Sequence, residues 1–123
     1  MFNLSLEKEG RVLVITFTGL FDLRQAEEFY SEAKKIAPKL KKGFIVLTDM
    51  SSLERMEISA KPFIEKTMDL LNQSGVSKVI RVIPDQEKDI GFTIMSLFHY
   101  SAEVPIHTYK FHHEAQEHFK SID

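Results

Sequence analysis

A change of hydrophobic period just after residue 20 limits what this chain can fold into more than any other feature. In RVLVITFTG, residues 11–19, Val12, Val14, Thr16 and Thr18 alternate with Leu13, Ile15 and Phe17, the period of two expected of a strand. From Asp22 the apolar positions fall at Leu23, Ala26, Phe29, Tyr30, Ala33, Ile36, Ala37 and Leu40, the three-and-four spacing of a helix with one apolar face. Asp22 and Gln25 form a capping-box variant at its start, and Pro38 kinks or ends it early. A strand that leads into such a helix is followed most simply by a right-handed crossover into a parallel strand.

The remaining segments extend that pattern. Asn3 to Lys8 alternate weakly and Glu9-Gly10 supplies a turn, which predicts an amino-terminal hairpin. GFIVLTDM, residues 43–50, is a short apolar run of the kind found in a central strand covered on both faces, and an acidic, serine-rich loop is expected after it. A second helix is predicted from about Ala60 to Ser74, burying Phe63, Ile64, Thr67, Met68 and Leu71, with Gly75 as the left-handed residue past its end. SKVIRVIP reads as a strand stopped by Pro84, DQEKDIGFTIMSLFHY as a loop and third helix, IHTYKF as a last strand, and HHEAQEHFKSI as a terminal helix. The fold class is therefore α/β: a single mixed, mostly parallel β-sheet with helices packed against it, in the order ββαβαβαβα. At 123 residues, with no Pro-, Gly- or Ser-rich linker, residues 1–123 read as one domain.

Composition removes several function classes. A formal charge of −2, with both signs interspersed, lacks the basic footprint of a nucleic-acid binder. The start MFNLSLEKEG carries no basic segment leading into an apolar one, and no run approaches the length of a transmembrane segment, so a cytoplasmic setting is expected. Without cysteine there is no disulfide and no thiolate chemistry. No glycine-rich phosphate loop or nucleophile elbow occurs, and the acids of PDQEKD and RQAEE stand in polar stretches without a nucleophile beside them. The chain does not read as an enzyme, and no cofactor is implied.

Two motifs at the turns into the helices carry more. GLFDLRQAEEF follows the second strand and VLTDMSSLERMEIS follows the first helix. In this order they resemble the STAS domain of bacterial anti-sigma-factor antagonists, a SpoIIAA-like fold. Gly19 and Asp22 match the turn into the first helix, and Asp49, Met50 and Ser51 match the D-[LM]-S element. Where the family has D-S-S-G this sequence has Glu57, Ile58, Ser59 and Ala60, which puts Ser59 on the position of the phosphorylated serine. VPIHTYKFHHEAQEHF is similar to the carboxy-terminal strand and helix of the divergent SpoIIAA-like branch. The resemblance implies a non-catalytic regulatory module with a protein partner, a regulatory kinase or an anti-sigma-like protein. It would be bound through Asp49, Ser51, Ser52 and Glu57, with Ser59 as phosphoacceptor.

Ser59 also has a plain structural reading. As N-cap of the second helix it would put Pro62 within the first turn and Ile58 and Phe63 in the positions of a hydrophobic staple. A cap at Lys61 would give Pro62 its favoured first position, but lysine caps poorly. A phosphate on Ser59 would meet a helix amino terminus, where free amides favour anions, with Asp49 and Glu57 adding repulsion toward a partner. Asp49 at a strand end also suits a receiver-domain phosphoacceptor, but the acidic pair that holds magnesium in such domains is missing. In HEAQEH the two histidines are five apart, about 140° around a helix, so they do not form a zinc-binding pair. The run IGFTIMSLFHY is apolar on several sides. It offers the alternative function, an apolar small-molecule or lipid pocket near Phe92, Met95, Phe98 and Tyr100, against simple core packing. A homodimer through a sheet edge or a helix face is open and has no sequence signature.

Overall fold

A computed structural model describes residues 1–82 and the backbone of 106–109. Strands β1 (Phe2–Glu7) and β2 (Val12–Phe21) form an antiparallel hairpin with unbroken register from Phe2↔Phe17 to Glu7↔Val12. Its turn passes through Lys8, Glu9 and Gly10, all at positive φ. Helix α1 (Leu23–Ile36), strand β3 (Ile45–Met56), helix α2 (Lys61–Gln73) and strand β4 (Lys78–Val82) follow, and the last described strand is β5 (Ile106–Tyr109). The five strands lie in the spatial order β1-β2-β3-β4-β5, and every pair after the hairpin is parallel. This is the mixed, mostly parallel sheet expected from the sequence. The predicted third helix and the terminal helix, including His113 and His118, lie outside the described residues.

The crossovers β2-α1-β3 and β3-α2-β4 step across the sheet in the same direction. Right-handed connections then place both helices on one face, where Tyr30 of α1 meets Phe63 of α2 at a ring separation of 6.3 Å. Helix α1 begins as its sequence predicts: Asp22 is extended and its Oδ1 accepts the Gln25 N–H at 2.9 Å. A 3-10 turn over Ala37–Lys39, built around Pro38, ends it. Ala26, Phe29 and Ala33 are buried, matching the apolar stripe.

The main core forms where that stripe meets Leu13, Ile15 and Phe17 of β2, Val46 and Met50 of β3, and Ile64, Met68 and Leu71 of α2. Phe2, Phe17, Phe21 and Phe29 interlock edge to face, with Phe17–Phe21 at 4.8 Å and Phe17–Phe29 at 5.2 Å. Burying each such ring contributes about 1.5–3 kcal/mol, and favourable ring geometry adds about 0.5–1.5 kcal/mol per pair. The other sheet face has its own apolar cluster, Leu47, Ile80 and Val82 with Val14 and Ile45 packed against it. Both faces of β4 and of the first half of β3 are thus largely buried, as the apolar run at 43–50 predicts.

The amino-terminal end of the parallel strands is closed by backbone bonds. Lys41 N–H donates to Gly10 O at 3.0 Å, Gly43 N–H to Gly75 O at 2.8 Å, and Ser77 N–H to Phe44 O at 2.8 Å. Gly10, at φ +87°, lies so close to the turn after α1 that a Cβ there would stand 2.6 Å from Lys39 O. Only glycine fits both the angle and the space.

Candidate functional site

The opposite end of the same strands is built differently, and it holds every candidate residue between Asp49 and Ser59. The described pairing of β3 with β4 runs to Asp49↔Val82, and the pairing of β3 with β2 is described as far as Phe21↔Met56. The acidic, serine-rich segment expected to be a loop is therefore strand, and β3 runs to Met56 rather than ending near Met50. Its register with β2 slips twice, once between Thr16 and Thr18 and once between Gly19 and Leu20. Each slip inserts one extra residue on β3, a β-bulge. As a result Met50, Leu53 and Met56 reach the core side at a spacing of three, where an unbroken strand would require two.

Asp49 organises the first bulge. Its Oδ1 accepts the Ser51 N–H at 2.9 Å and the Ser51 hydroxyl at 2.6 Å, a side-chain turn that bends the backbone back two residues on. Met50 between them is buried, while Ser51 and Ser52 are exposed. The D-[LM]-S motif is thus a device for offsetting the strand.

Ser59 does not cap α2. Ile58–Ala60 form a 3-10 turn, Ala60 is the N-cap in helical conformation, and no side chain caps the helix. The Ser59 hydroxyl points instead to Glu57, donating to Oε2 at 3.4 Å. Ala60 N–H bonds Glu57 O, Lys61 N–H bonds Ile58 O, and Pro62 has no N–H to give. The amides expected to receive a phosphate are therefore largely engaged within the turn. The staple is absent too, because Ile58 is 89% exposed and Phe63 packs on Tyr30.

The predicted partner-binding residues fall into two groups, Asp49 with Ser51 and Glu57 with Ser59. Asp49 is level with Thr16 and Met56 with Phe21, about 16 Å apart along β2 at the usual strand rise. That exceeds the screening length of about 8–10 Å in physiological salt. Asp49 thus adds little repulsion at Ser59, and Glu57 is the relevant charge.

The sequence reading did not anticipate where exposed apolar side chains would collect. Among the described residues the large exposed ones are Met1, Leu20 (42%), Leu23 (40%) and Ile58 (89%), and all belong to this end. Residue 1 bonds to Thr18 O and Leu20 O, and Glu57 N–H bonds to Phe21 O, which ties the Ile58 turn to the start of α1. Leu20 and Leu23 flank Phe21 in sequence, a signal available before the structure. Arg81 was also missed. It is only 1% exposed, on the helix-facing side of β4, and with Thr48 and Thr67 it lines a core cavity of about 20 Å³. That volume has room for one water. A ligand pocket takes a few hundred cubic ångströms. Phe92, Met95, Phe98 and Tyr100, the alternative pocket residues, lie outside the described residues. Among the described residues no cluster of His, Cys, Asp and Glu could hold a metal, and no helix is long and apolar enough to cross a membrane.

Comparison with known proteins places this geometry. The family model described as STAS domain matches residues 3–115. The anti-sigma factor antagonist SpoIIAA in its unphosphorylated form superposes with a TM-score of 0.65 at 17% identity, covering 99% of this chain and 100% of that one. SpoIIAA of Bacillus in the phosphorylated form gives 0.63 at 15% identity, covering 97% and 99%. A Shewanella loihica protein with a SpoIIAA-like fold gives 0.68 at 9% identity, covering 95% and 90%. No curated protein matches the sequence.

Proposed function

The chain belongs to the STAS domain family, and from that premise we propose that it is a regulatory interaction module, acting without catalysis, whose protein partner docks on the carboxy-terminal end of β2 and β3. The observation that carries this reading is the gathering of Met1, Leu20, Leu23 and Ile58 at that one end. Scattered surface apolar residues need no explanation, but a cluster beside polar groups marks a contact surface. Covering Ile58 alone would contribute about 1.5–3 kcal/mol. The partner chemistry that fits is an apolar surface of a regulatory kinase or anti-sigma-like protein, rimmed by groups that bond Ser51, Ser52 and Glu57.

Ser59 is the switch in this reading. A phosphate on its exposed hydroxyl would add about −1.5 to −2 charges next to Glu57 and Ile58. With the neighbouring amides engaged in the 3-10 turn, that charge would stay at the surface and have to be desolvated by any partner covering Ile58. Docking is weakened as a result. The fold shared with SpoIIAA, solved in both phosphorylated and unphosphorylated forms, supports the assignment.

A photoreactive residue placed at 58, and a control at 42 on the opposite end, test it in the native host. The expected outcome is one protein crosslinked from 58 and not from 42, with the yield falling at least about tenfold in a Ser59→Asp background. Equal capture from both positions removes the docking surface, and undiminished capture with Ser59→Asp removes the switch.

A further inference from the structure

The fold gathers basic side chains that the sequence supplies from separate segments. Val12 of β2, Ile45 of β3 and Lys78 of β4 stand level with one another, so the segments leading into these three strands form one even end of the molecule. Lys8 and Arg11 come to it from the hairpin turn, Lys39, Lys41 and Lys42 from the connection after α1, and Lys78 begins β4. Main-chain bonds from Lys41 to Gly10 and from Gly43 to Gly75 hold the turns together. A Cβ on Gly75 would stand 3.1 Å from Lys42 Cγ, so the glycine leaves room for the lysine stem. Arg11, Lys39, Lys41 and Lys42 are exposed, and among the described residues none of the four is in an ion pair. By contrast Arg24 pairs with Glu28 and Lys61 with Glu65, while Lys34 and Lys35 of α1 are engaged with the Tyr30 ring and Glu32. Glu7 and Glu9 of the hairpin are the carboxylates on these segments, and Glu7 accepts the Ser5 hydroxyl.

We propose that this end is a docking surface for an anionic lipid membrane, held by charge at the headgroups without insertion. Clusters of about four to eight Lys and Arg residues are drawn to acidic headgroups, each contributing separately to the attraction. A level end brings all its charges to a plane at once. A nucleic-acid duplex is instead read by an element that enters a groove, and a single strand by exposed rings. The three turns here lie level, and Phe44, the aromatic residue on these segments, is buried. An acidic protein segment fits less well, because three of the four unpaired groups are lysines. These are hydrated point charges on flexible stems, suited to mobile headgroups, whereas arginine forks hold carboxylates in one geometry. From this end β2 runs about 30 Å to the other at the usual strand rise. The bound domain would therefore present Ile58 to water, and the inference does not depend on Ser59 or on a protein partner.

Cosedimentation of the full chain with vesicles tests it, using phosphatidylcholine alone and phosphatidylcholine with about one-third phosphatidylserine. In about 0.1 M KCl the chain is expected to pellet with the mixed vesicles and not with the neutral ones, and to be released at about 0.5 M KCl. The triple variant Lys39→Ala, Lys41→Ala, Lys42→Ala is expected to lower the partition coefficient about a hundredfold. Removing the same charge elsewhere, with Arg24→Ala, Arg55→Ala and Lys66→Ala, should change it by less than about threefold. The comparison of lipids and salts uses the wild-type chain and does not depend on any variant folding. Failure of the chain to pellet with the mixed vesicles, equal pelleting with both kinds, or equal losses in the two triple variants would each overturn the proposal. So would retention on duplex DNA at protein concentrations where the mixed vesicles retain none.

Discussion

The two ends of the β2–β3 pair are made from the same strands and differ in almost every other respect. At the amino-terminal end, main-chain bonds join three turns and a glycine admits a neighbouring carbonyl where a side chain would collide. At the carboxy-terminal end β3 slips register twice against β2, and exposed apolar side chains gather near the start of α2, which no side chain caps. The first end is specified by backbone geometry and holds the fold together. The second exposes apolar side chains among the described residues. Under the proposed docking, the contact surface lies where the described chain stops satisfying itself.

The sharpest way to break this comparison is at Gly10. Gly10→Ala would require both an unfavourable φ and displacement of Lys39 O, and about 3 kcal/mol of destabilisation is expected in urea unfolding. A loss below about 1 kcal/mol would mean the structural end is not held by that approach. Next in size is Ser77→Ala, which removes the hydroxyl that donates to Gly43 O at 2.6 Å, for about 1 kcal/mol. Asp22→Ala should cost a similar ~1 kcal/mol, because Asp22 caps α1 through the Gln25 N–H while the start of α2 has no side-chain cap. Against these, Ser59→Ala should change stability by less than about 0.5 kcal/mol. A change near that of Asp22→Ala would restore Ser59 as a cap and blur the contrast. Ile58→Ser, smallest of all in unfolding, sharpens the comparison if it leaves the melting curve in place and still lowers partner capture.

The sequence disclosed the structural end better than the docking end, for physical reasons visible in particular residues. The Pro38 stop, the alternation of β2 and the stripe of α1 are local signals whose period matches their element, and at the other end the Asp22 cap is one too. The far half of β3 does not keep its period. Two bulges space Met50, Leu53 and Met56 by three and leave Ser51, Ser52, Glu54 and Arg55 exposed, so the segment has the composition of a loop. Ser59 satisfied the pattern of a cap, but Pro62 fits equally with a 3-10 turn ahead of the helix, and the turn won by engaging the Ala60 and Lys61 amides. Arg81 shows the opposite error: read as one member of a strand, it is a fully buried charge, and a lone cation inside an apolar run was the available sign.

The double slip of β3 has a consequence for how such a domain can change. Each bulge holds one residue of β3 with no counterpart on β2, so removing one such residue would erase a bulge and leave Met56 opposite Phe21. Removing two paired residues instead would keep the facing, because strand side chains alternate, and draw Ser59 back by about 7 Å along the sheet. The reach of the tip is therefore set in whole residues, counted off against β2. Paired insertions or deletions between Asp49 and Met56 could retarget the surface while Gly10, Gly43 and Gly75 at the other end never register the change.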